Sequence, residues 1–146
     1  MKVKEIMKKE VMSLAPEEKA ADALAKLLKL NISGLPVIDG KKKLLGMFTE
    51  KEALTMILPG YLKSVGTFVY EMDPKAIREK VEHFSGLKVK DVMRKEVITI
   101  CEEATIAEAA HLMLTNKARR LPVLNKAGEV IGIIARVDVV KALFGI

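Results

Sequence analysis

The sequence predicts an α/β fold built from two copies of a β-α-β-β-α unit. The 146-residue chain repeats itself at a constant offset of 86 positions, from Val3 and Val89 to Ile57 and Leu143. Within each copy, short extended runs alternate with segments whose apolar residues have helical spacing. Because a copy of about 55 residues is marginal as an independent domain, we expect the two copies to share a hydrophobic core.

The first half of each copy predicts a strand and then a helix. The extended runs are VMSL at 11–14 and VITI at 97–100. The amphipathic helix of the first copy has apolar residues at positions 20, 23, 24, 27 and 28, and the second copy repeats this pattern. Thr105 and Glu108 make a plausible capping box at the start of the second of these helices, whereas their counterparts Lys19 and Asp22 do not, because lysine has no oxygen with which to cap the helix.

The second half of each copy predicts a β-hairpin followed by a helix. LPVID and LLGMF are joined through Asp39-Gly40, and LPVLN and VIGII are joined through Ala127-Gly128. The final helices start near residues 50 and 136. We therefore divide the chain into a first repeat at 1–57, a connector at 58–88 and a second repeat at 89–146.

The connector is expected to contain a short helix. Asp73-Pro74 is a good N-cap and first-turn pair, and Ile77, Val81 and Phe84 fall on one helix face before Gly86. This pattern is typical of an ordered segment rather than of a flexible linker.

Composition favours some classes of function over others. The net charge of +6 is divided as +3 in 1–57, zero in 58–87 and +3 in 88–146, so no basic tail indicates nucleic-acid binding. No apolar run reaches the ~18–20 residues of a membrane span. Cys101 is the single cysteine, which favours the cytoplasm. Because Cys101 aligns with Ala15 of the first copy, we expect it to be a small core residue. His83 and His111 lack metal-ligand spacing, and no nucleophile and base are paired, so neither a metal nor an enzyme is predicted.

The two copies end their hairpins differently. The first copy reads GMFTEKE at 46–52, whereas the second reads GIIARVD at 132–138. Thr49 and Glu52 have the spacing of a capping box, which is the interpretation we favour for the first copy. Ala135 cannot cap a helix, so we expect Asp138 to have no capping bond to serve. Asp138 is then either a first-turn acid that the helix dipole favours or a carboxylate available to a ligand.

These features together resemble a tandem pair of cystathionine-β-synthase (CBS) domains, also called a Bateman module. The resemblance rests on VKxxM, the LPV strand and the Gly-apolar-apolar-x-x-x-acid ending, each present twice in register. It implies a compact module with pseudo-twofold symmetry that dimerises into a flat disc. It also implies clefts between the copies that bind AMP, ADP, ATP or S-adenosylmethionine, and a regulatory rather than catalytic role.

The resemblance also implies roles for individual residues. The acid of the closing motif holds the ribose hydroxyls, and the Thr or Ser position contacts ribose or phosphate. Apart from the resemblance, the planar guanidinium groups of arginines suit phosphate oxygens, the alternative being arginines that are simply solvated. The first-strand hydroxyl contacts the base, and the Leu-Pro pair flanks adenine, although local hydrogen bonding and core packing are the respective alternatives. The main site then comprises Asp138, Ala135, Arg136, Thr99, Arg120, Leu121 and Pro122, and a weaker site comprises Ser13, Leu35, Pro36, Thr49 and Glu52.

Two functional hypotheses follow from this. The leading one is a non-enzymatic, homodimeric regulator that binds an adenosine-containing nucleotide in the cleft marked by Asp138 and acts on a protein partner that the sequence does not name. The alternative is a CBS pair with degenerate clefts that serves for dimerisation or protein docking, which the incomplete closing motifs favour. A second alternative, nucleic-acid binding, rests only on the mild basicity of the chain, and no membrane partner is expected.

Overall fold

The computed structural model describes residues 1–58 and 74–146 and confirms the mixed α/β fold. Its elements, in chain order, are α1 (Val3–Ile6), α2 (Ala20–Leu30), β1 (Gly34–Ile38), β2 (Leu44–Thr49), α3 (Glu50–Ile57), α4 (Pro74–Ser85), α5 (Val89–Val92), β3 (Ile100–Cys101), α6 (Ile106–Thr115), β4 (Arg120–Leu124), β5 (Val130–Ala135) and α7 (Arg136–Phe144). The helices expected near residues 50, 74 and 136 are all present.

The chain forms two compact units that do not coincide with the two sequence repeats. Unit 1 contains Met1–Ser13, Ile38–Leu44 and Glu96–Ile146. Unit 2 contains Leu14–Val37 and the described residues of Leu45–Lys95. The repeat boundaries at 1–57 and 89–146 therefore stay a prediction from the sequence pattern.

Unit 1 is organised around a three-stranded sheet in which β4 is central. It pairs in parallel with β3 and antiparallel with β5. The core under this sheet takes Val3 from α1, where the Val3 amide donates to the Ala104 carbonyl at 2.8 Å. Farther along, Lys8 and Ile133 exchange both backbone hydrogen bonds, at 2.8 and 2.9 Å. The N-terminus of the first repeat is thus part of the core that the second repeat builds.

Unit 2, built around the two-stranded sheet of β1 and β2, contains the equivalent segment of the second repeat in the same way. We call α1 and α5, which each join the core built mainly by the other repeat, the exchanged helices. Its core includes Val37 and Phe48 from the hairpin, and Phe84 and Val89 from α4 and α5. The Val89 amide donates to the Glu18 carbonyl at 2.8 Å, the equivalent of the bond made by Val3. The expected sharing of core residues between the two copies is confirmed, since each of the two cores contains residues of both repeats.

Matching ion pairs hold the exchanged helices in both units. In unit 1, Glu103 accepts from Lys2 at 2.6 Å and from Lys4 at 2.7 Å. In unit 2, Glu17 accepts from Lys88 and Lys90 at 2.5 and 2.8 Å. These contacts lower the pKa of each glutamate from 4.5 to about 2, chiefly through the two lysine hydrogen bonds.

The strand expected at 11–14 is reduced to a single bridge between Leu14 and Val37. In the second repeat, the strand extends because the Glu102 amide donates to the Leu124 carbonyl at 3.0 Å. The equivalent of Glu102 in the first repeat is Pro16, which has no amide proton to donate. The ladder therefore stops one residue after it begins.

Three further expectations have different outcomes. Thr105 caps α6 by accepting from the Glu108 amide at 3.1 Å, as its spacing predicts. The cap proposed at Asp73 lies outside the described residues. Cys101 was expected in the core but is exposed, because the final residue of β3 turns its side chain away from the core that buries Ile100.

In the described ranges 1–58 and 74–146, no helix is long and apolar enough to cross a membrane.

Candidate functional site

The main predicted site lies where β5 passes into α7 in unit 1. Arg120 pairs with Ala135 in the β4–β5 register, so both lie at the same end of the sheet. The Arg136 amide donates to the Arg119 carbonyl at 2.8 Å, and the Arg136 guanidinium donates to the Ala118 carbonyl at 3.2 Å. These bonds fix the first turn of α7 against the segment that leads into β4.

Asp138 is half-buried within this first turn. Its Oδ2 accepts from the Ala135 amide at 2.9 Å, so the expectation that Asp138 has no capping bond to serve is wrong. The reason is geometric: the third residue of a helix can reach back to the N-cap amide whether or not the N-cap residue has a hydroxyl. Its Oδ1 has no hydrogen-bond partner among the described residues. One oxygen is therefore structural and one remains available.

The surroundings of this turn are strongly basic. Arg119, Arg120 and Arg136 are all exposed, and none of them forms an ion pair within the described part of the chain. The α7 N-terminus adds backbone amides and the positive end of the helix dipole. The geometry therefore combines a carboxylate that can accept hydrogen bonds from hydroxyl groups with cations that can bind phosphate oxygens.

The other predicted members of this site differ in accessibility. Thr99 is partly exposed and immediately precedes β3; because Ile100 pairs with Val123, Thr99 lies beside Pro122. Leu121 and Pro122 are fully buried, and Leu121 contributes to the core of unit 1. Core packing, the alternative considered for this pair, accounts for their side chains.

The equivalent junction in unit 2 is closed by internal contacts. The Thr49 hydroxyl accepts from the Glu52 amide at 3.4 Å and donates to Glu52 Oε2. The other carboxylate oxygen, Oε1, lies 3.6 Å from Arg94 Nη1, and the Glu52 side chain is only 13% exposed. Both oxygens of this acid are thus engaged, in contrast to the single engaged oxygen of Asp138.

The remaining residues of the weaker site do not form one cluster around Thr49. Leu35 and Pro36 are buried, and Leu35 contributes to the core of unit 2. Ser13 is exposed and belongs to unit 1, where it lines a polar cavity.

That cavity was not predicted from the sequence. It has a volume of about 470 Å³ and lies beside the β1–β2 turn of the first repeat and the start of β5. Its lining combines apolar and polar side chains, namely Lys9, Val11, Ser13, Ile38, Asp39, Lys42, Val130 and Ile131. The available signal was Lys42, which stands in the first hairpin where the second hairpin has Gly128.

Among the described residues, no three His, Cys, Asp or Glu side chains come together as metal ligands.

Comparison with known proteins assigns the chain to a family. The family model for the CBS domain matches twice, at residues 3–59 and 89–145. This chain belongs to the CBS-domain family. As a CBS pair, it contains two copies of the domain within 146 residues.

Solved structures of other CBS pairs have the same fold. CBSX2 of Arabidopsis thaliana, crystallised in complex with AMP, is 26% identical, has a TM-score of 0.74, and matches over 99% of this chain and 96% of its own. A CBS protein of unknown function from Bacillus anthracis gives a TM-score of 0.78 at 23% identity, which supports the fold alone.

Curated relatives place such pairs both alone and within larger proteins. An uncharacterized protein of Methanocaldococcus jannaschii is 32% identical, over 98% of this chain and 91% of its own length. Inosine-5'-monophosphate dehydrogenase of the same organism is also 32% identical, but the match covers only 23% of the enzyme. CBSX1 of Arabidopsis thaliana, a chloroplastic CBS protein, is 29% identical, and the match covers 60% of its length.

Proposed function

We propose that this CBS pair is a non-catalytic regulatory module that binds an adenosine-containing nucleotide, with the ribose held by Asp138. The observation that carries this proposal is the free Oδ1 of a half-buried carboxylate beside arginines that form no ion pair in the described part of unit 1. A carboxylate oxygen accepts two hydrogen bonds, which suits a ribose diol. The AMP complex of CBSX2 supports an adenine nucleotide as the ligand class.

The contrast between the two junctions supports occupancy of the second repeat's site first. Binding a ribose at Glu52 would require breaking its contact with the Thr49 hydroxyl or with Arg94. Asp138 can keep its bond to the Ala135 amide and still accept from a ligand. Arg120 and Arg136 are the residues we expect to contact phosphate.

A thermal-shift screen tests the ligand class. AMP, ADP, ATP, S-adenosylmethionine and NAD are each added at concentrations up to 5 mM, and a ligand present at 100 times its Kd stabilises the native state by about 2.7 kcal/mol. We expect at least one adenosine compound, but not guanosine or inorganic phosphate alone, to raise the melting temperature in a saturable manner. No shift with any adenosine compound would overturn the proposal.

The alternative function, dimerisation or protein docking, is favoured by apolar residues left exposed at equivalent positions of the two repeats. Leu28 on α2 is 62% exposed and its counterpart Leu114 on α6 is 74% exposed. Leu54 on α3 and Val140 on α7 are 61% and 44% exposed. In unit 2, these residues border an apolar groove of about 400 Å³ between α2, α3 and α4.

We assign these helix faces to a second copy of the chain. Because the predicted amphipathic stripe includes positions 28 and 114, each helix has more apolar surface than its own core covers, and paired copies would bury the excess. Sedimentation at 50 µM should show a species of about 32 kDa, twice the chain's 16.1 kDa, and Leu114→Glu should shift it towards the monomer. Only monomer in the unsubstituted protein would contradict the assignment.

Two further parts of the proposal are broader. A regulatory module acts on another protein, and the relation to inosine-5'-monophosphate dehydrogenase makes a larger enzyme one class of target. Cytoplasmic localisation stays a prediction from cysteine usage, since a curated relative is chloroplastic.

A further inference from the structure

The polar cavity of unit 1 lies at the opposite end of β5 from the junction that holds Asp138. Val130 and Ile131 line the cavity at the start of β5, whereas Ala135 ends the strand. Five residue steps at ~3.3 Å each separate Val130 from Ala135 by about 16 Å. The cavity is therefore separate from the proposed nucleotide site at Asp138, and its side chains belong to a different part of unit 1.

The cavity carries a net positive charge. Lys9 and Lys42 line it, and neither forms an ion pair within residues 1–58 and 74–146. Its one acid, Asp39, has Oδ1 occupied by the amides of Lys41 and Lys43 at 2.8 and 2.9 Å. These backbone bonds lower the pKa of Asp39, so it stays ionised and the lysines outnumber it by one.

Lys42 is held in an unfavourable backbone conformation at this place. Its φ of 64° lies in the left-handed region, and its carbonyl accepts from the Val130 amide at 2.9 Å. The second hairpin has Gly128, with a φ of 78°, at the equivalent position. Lysine stabilises a left-handed turn less than glycine does, because its Cβ crowds the backbone. The conformation of the turn therefore does not account for a lysine at position 42.

We propose that this cavity is a second binding site, independent of the nucleotide, for a small organic dianion such as a phosphate monoester or a dicarboxylate. Lys9 and Lys42 provide the two cations, and the Ser13 hydroxyl provides a hydrogen-bond donor. The side chains of Val11, Ile38 and Ile131 form an apolar wall for a short carbon body. The volume of about 470 Å³ suits a molecule of this size.

Titration of the full-length protein followed by amide NMR tests the site. The probes are glycerol 3-phosphate and succinate, which distinguish the two sources of a dianion, with glycerol as the neutral control. We expect saturable shifts at the amides of Ser13 and Val130 with at least one dianion. Their absence up to 20 mM of both probes would overturn the proposal.

Three lysine variants distinguish specific binding in the cavity from non-specific attraction of anions by the positive charge of the protein. Lys42→Gly should weaken binding at least fivefold while melting no lower than the parent, because glycine suits the left-handed conformation. Lys9→Ala should weaken binding similarly. Lys41→Ala removes the same charge from the same hairpin without touching the cavity, so it should change the Kd less than twofold.

Two outcomes would contradict the site directly. Equal losses for Lys41→Ala and Lys42→Gly would mean that only the overall charge matters. Loss of dianion binding in Asp138→Ala would place the anion at the nucleotide site instead. Failure of the nucleotide proposal alone would leave the dianion titration unchanged.

Discussion

Asp138 has one carboxylate oxygen bonded to the Ala135 amide and a second oxygen that we propose binds the ligand, and substitutions can separate these two roles. Asp138→Ala removes the acceptor for the Ala135 amide together with the free Oδ1. We expect nucleotide affinity to fall by about 1.5–3 kcal/mol, or roughly ten- to hundredfold, in calorimetric titration. We also expect a loss of about 0.5–1.5 kcal/mol in unfolding free energy, since the capping bond is lost.

The matched control is Asp138→Asn, which keeps an oxygen for the Ala135 amide but loses the charge. Its stability should stay close to that of the parent while its affinity falls. Glu52→Gln provides the second control, because both Glu52 oxygens have internal partners. The assignment fails if Asp138→Asn binds as tightly as the parent, or if Glu52→Gln is the variant that loses the nucleotide.

Two substitutions at the N-cap positions of α3 and α7 test the helix caps, one by removing a hydroxyl and one by adding it. Thr49→Ala removes the hydroxyl that accepts from the Glu52 amide and should cost about 1 kcal/mol in urea unfolding. Ala135→Thr should raise stability by a similar amount, because Ala135 already has the extended N-cap backbone, with φ −101° and ψ 156°. A Thr49→Ala variant that keeps its stability would show that the cap is not formed in solution.

At the scale of single residues, sequence spacing predicted the Thr49 and Thr105 caps, because a hydroxyl and a helix amide three residues later are local partners. It did not predict that Arg94 lies beside Glu52, because 42 positions separate the two residues. The availability of each acid for a ligand is therefore a tertiary property.

At the scale of elements, the exchanged helices α1 and α5 make stability depend on acid pH. The folded pKa of Glu17 and Glu103 is about 2, below the 4.5 of the free side chain. Their lysine contacts therefore contribute stability that is fully present above about pH 4.5 and is lost as the pH falls towards 2. Urea midpoints measured at pH 7, 4.5, 3 and 2 should decline through this window.

The double variant Glu17→Gln with Glu103→Gln should show a smaller decline over the same window, and 1 M NaCl should reduce the parent's decline because these pairs are exposed. Glu82→Gln, an exposed glutamate on α4, controls for the loss of one carboxylate. Identical pH profiles for the parent and the double variant would contradict a role for these ion pairs.

The elements themselves were largely predictable from the sequence, since helical and alternating apolar spacing are local signals. The strand expected at 11–14 is shorter in the structure, because Pro16 has no amide proton with which to extend the pairing with β1. The expectation that Cys101 is a core residue, which rests on its alignment with Ala15, is wrong because Cys101 is exposed at the end of β3. A two-residue strand has no periodicity from which its inward face can be deduced.

At the scale of the whole molecule, the exchange of N-terminal segments predicts that neither repeat folds alone. Residues 1–60 lack Phe84, Val89 and Val92, which complete the core around Phe48. This fragment should give no cooperative thermal transition by circular dichroism, or should self-associate. Adding a separately produced fragment of residues 74–146 should restore a cooperative melt, whereas a stable monomeric 1–60 fragment would refute the exchange.

The sequence by itself determined that this chain is a pair of CBS domains, with the order of its helices and strands and the position of its two closing motifs. These features are encoded in local spacing and in a repeat that can be read without coordinates. The tertiary structure decided which core each N-terminal helix enters, which acid keeps a free oxygen and where Lys9, Ser13 and Lys42 meet. These outcomes depend on contacts between residues far apart in the chain. No local sequence pattern specifies such contacts, because they form only when the two hydrophobic cores pack.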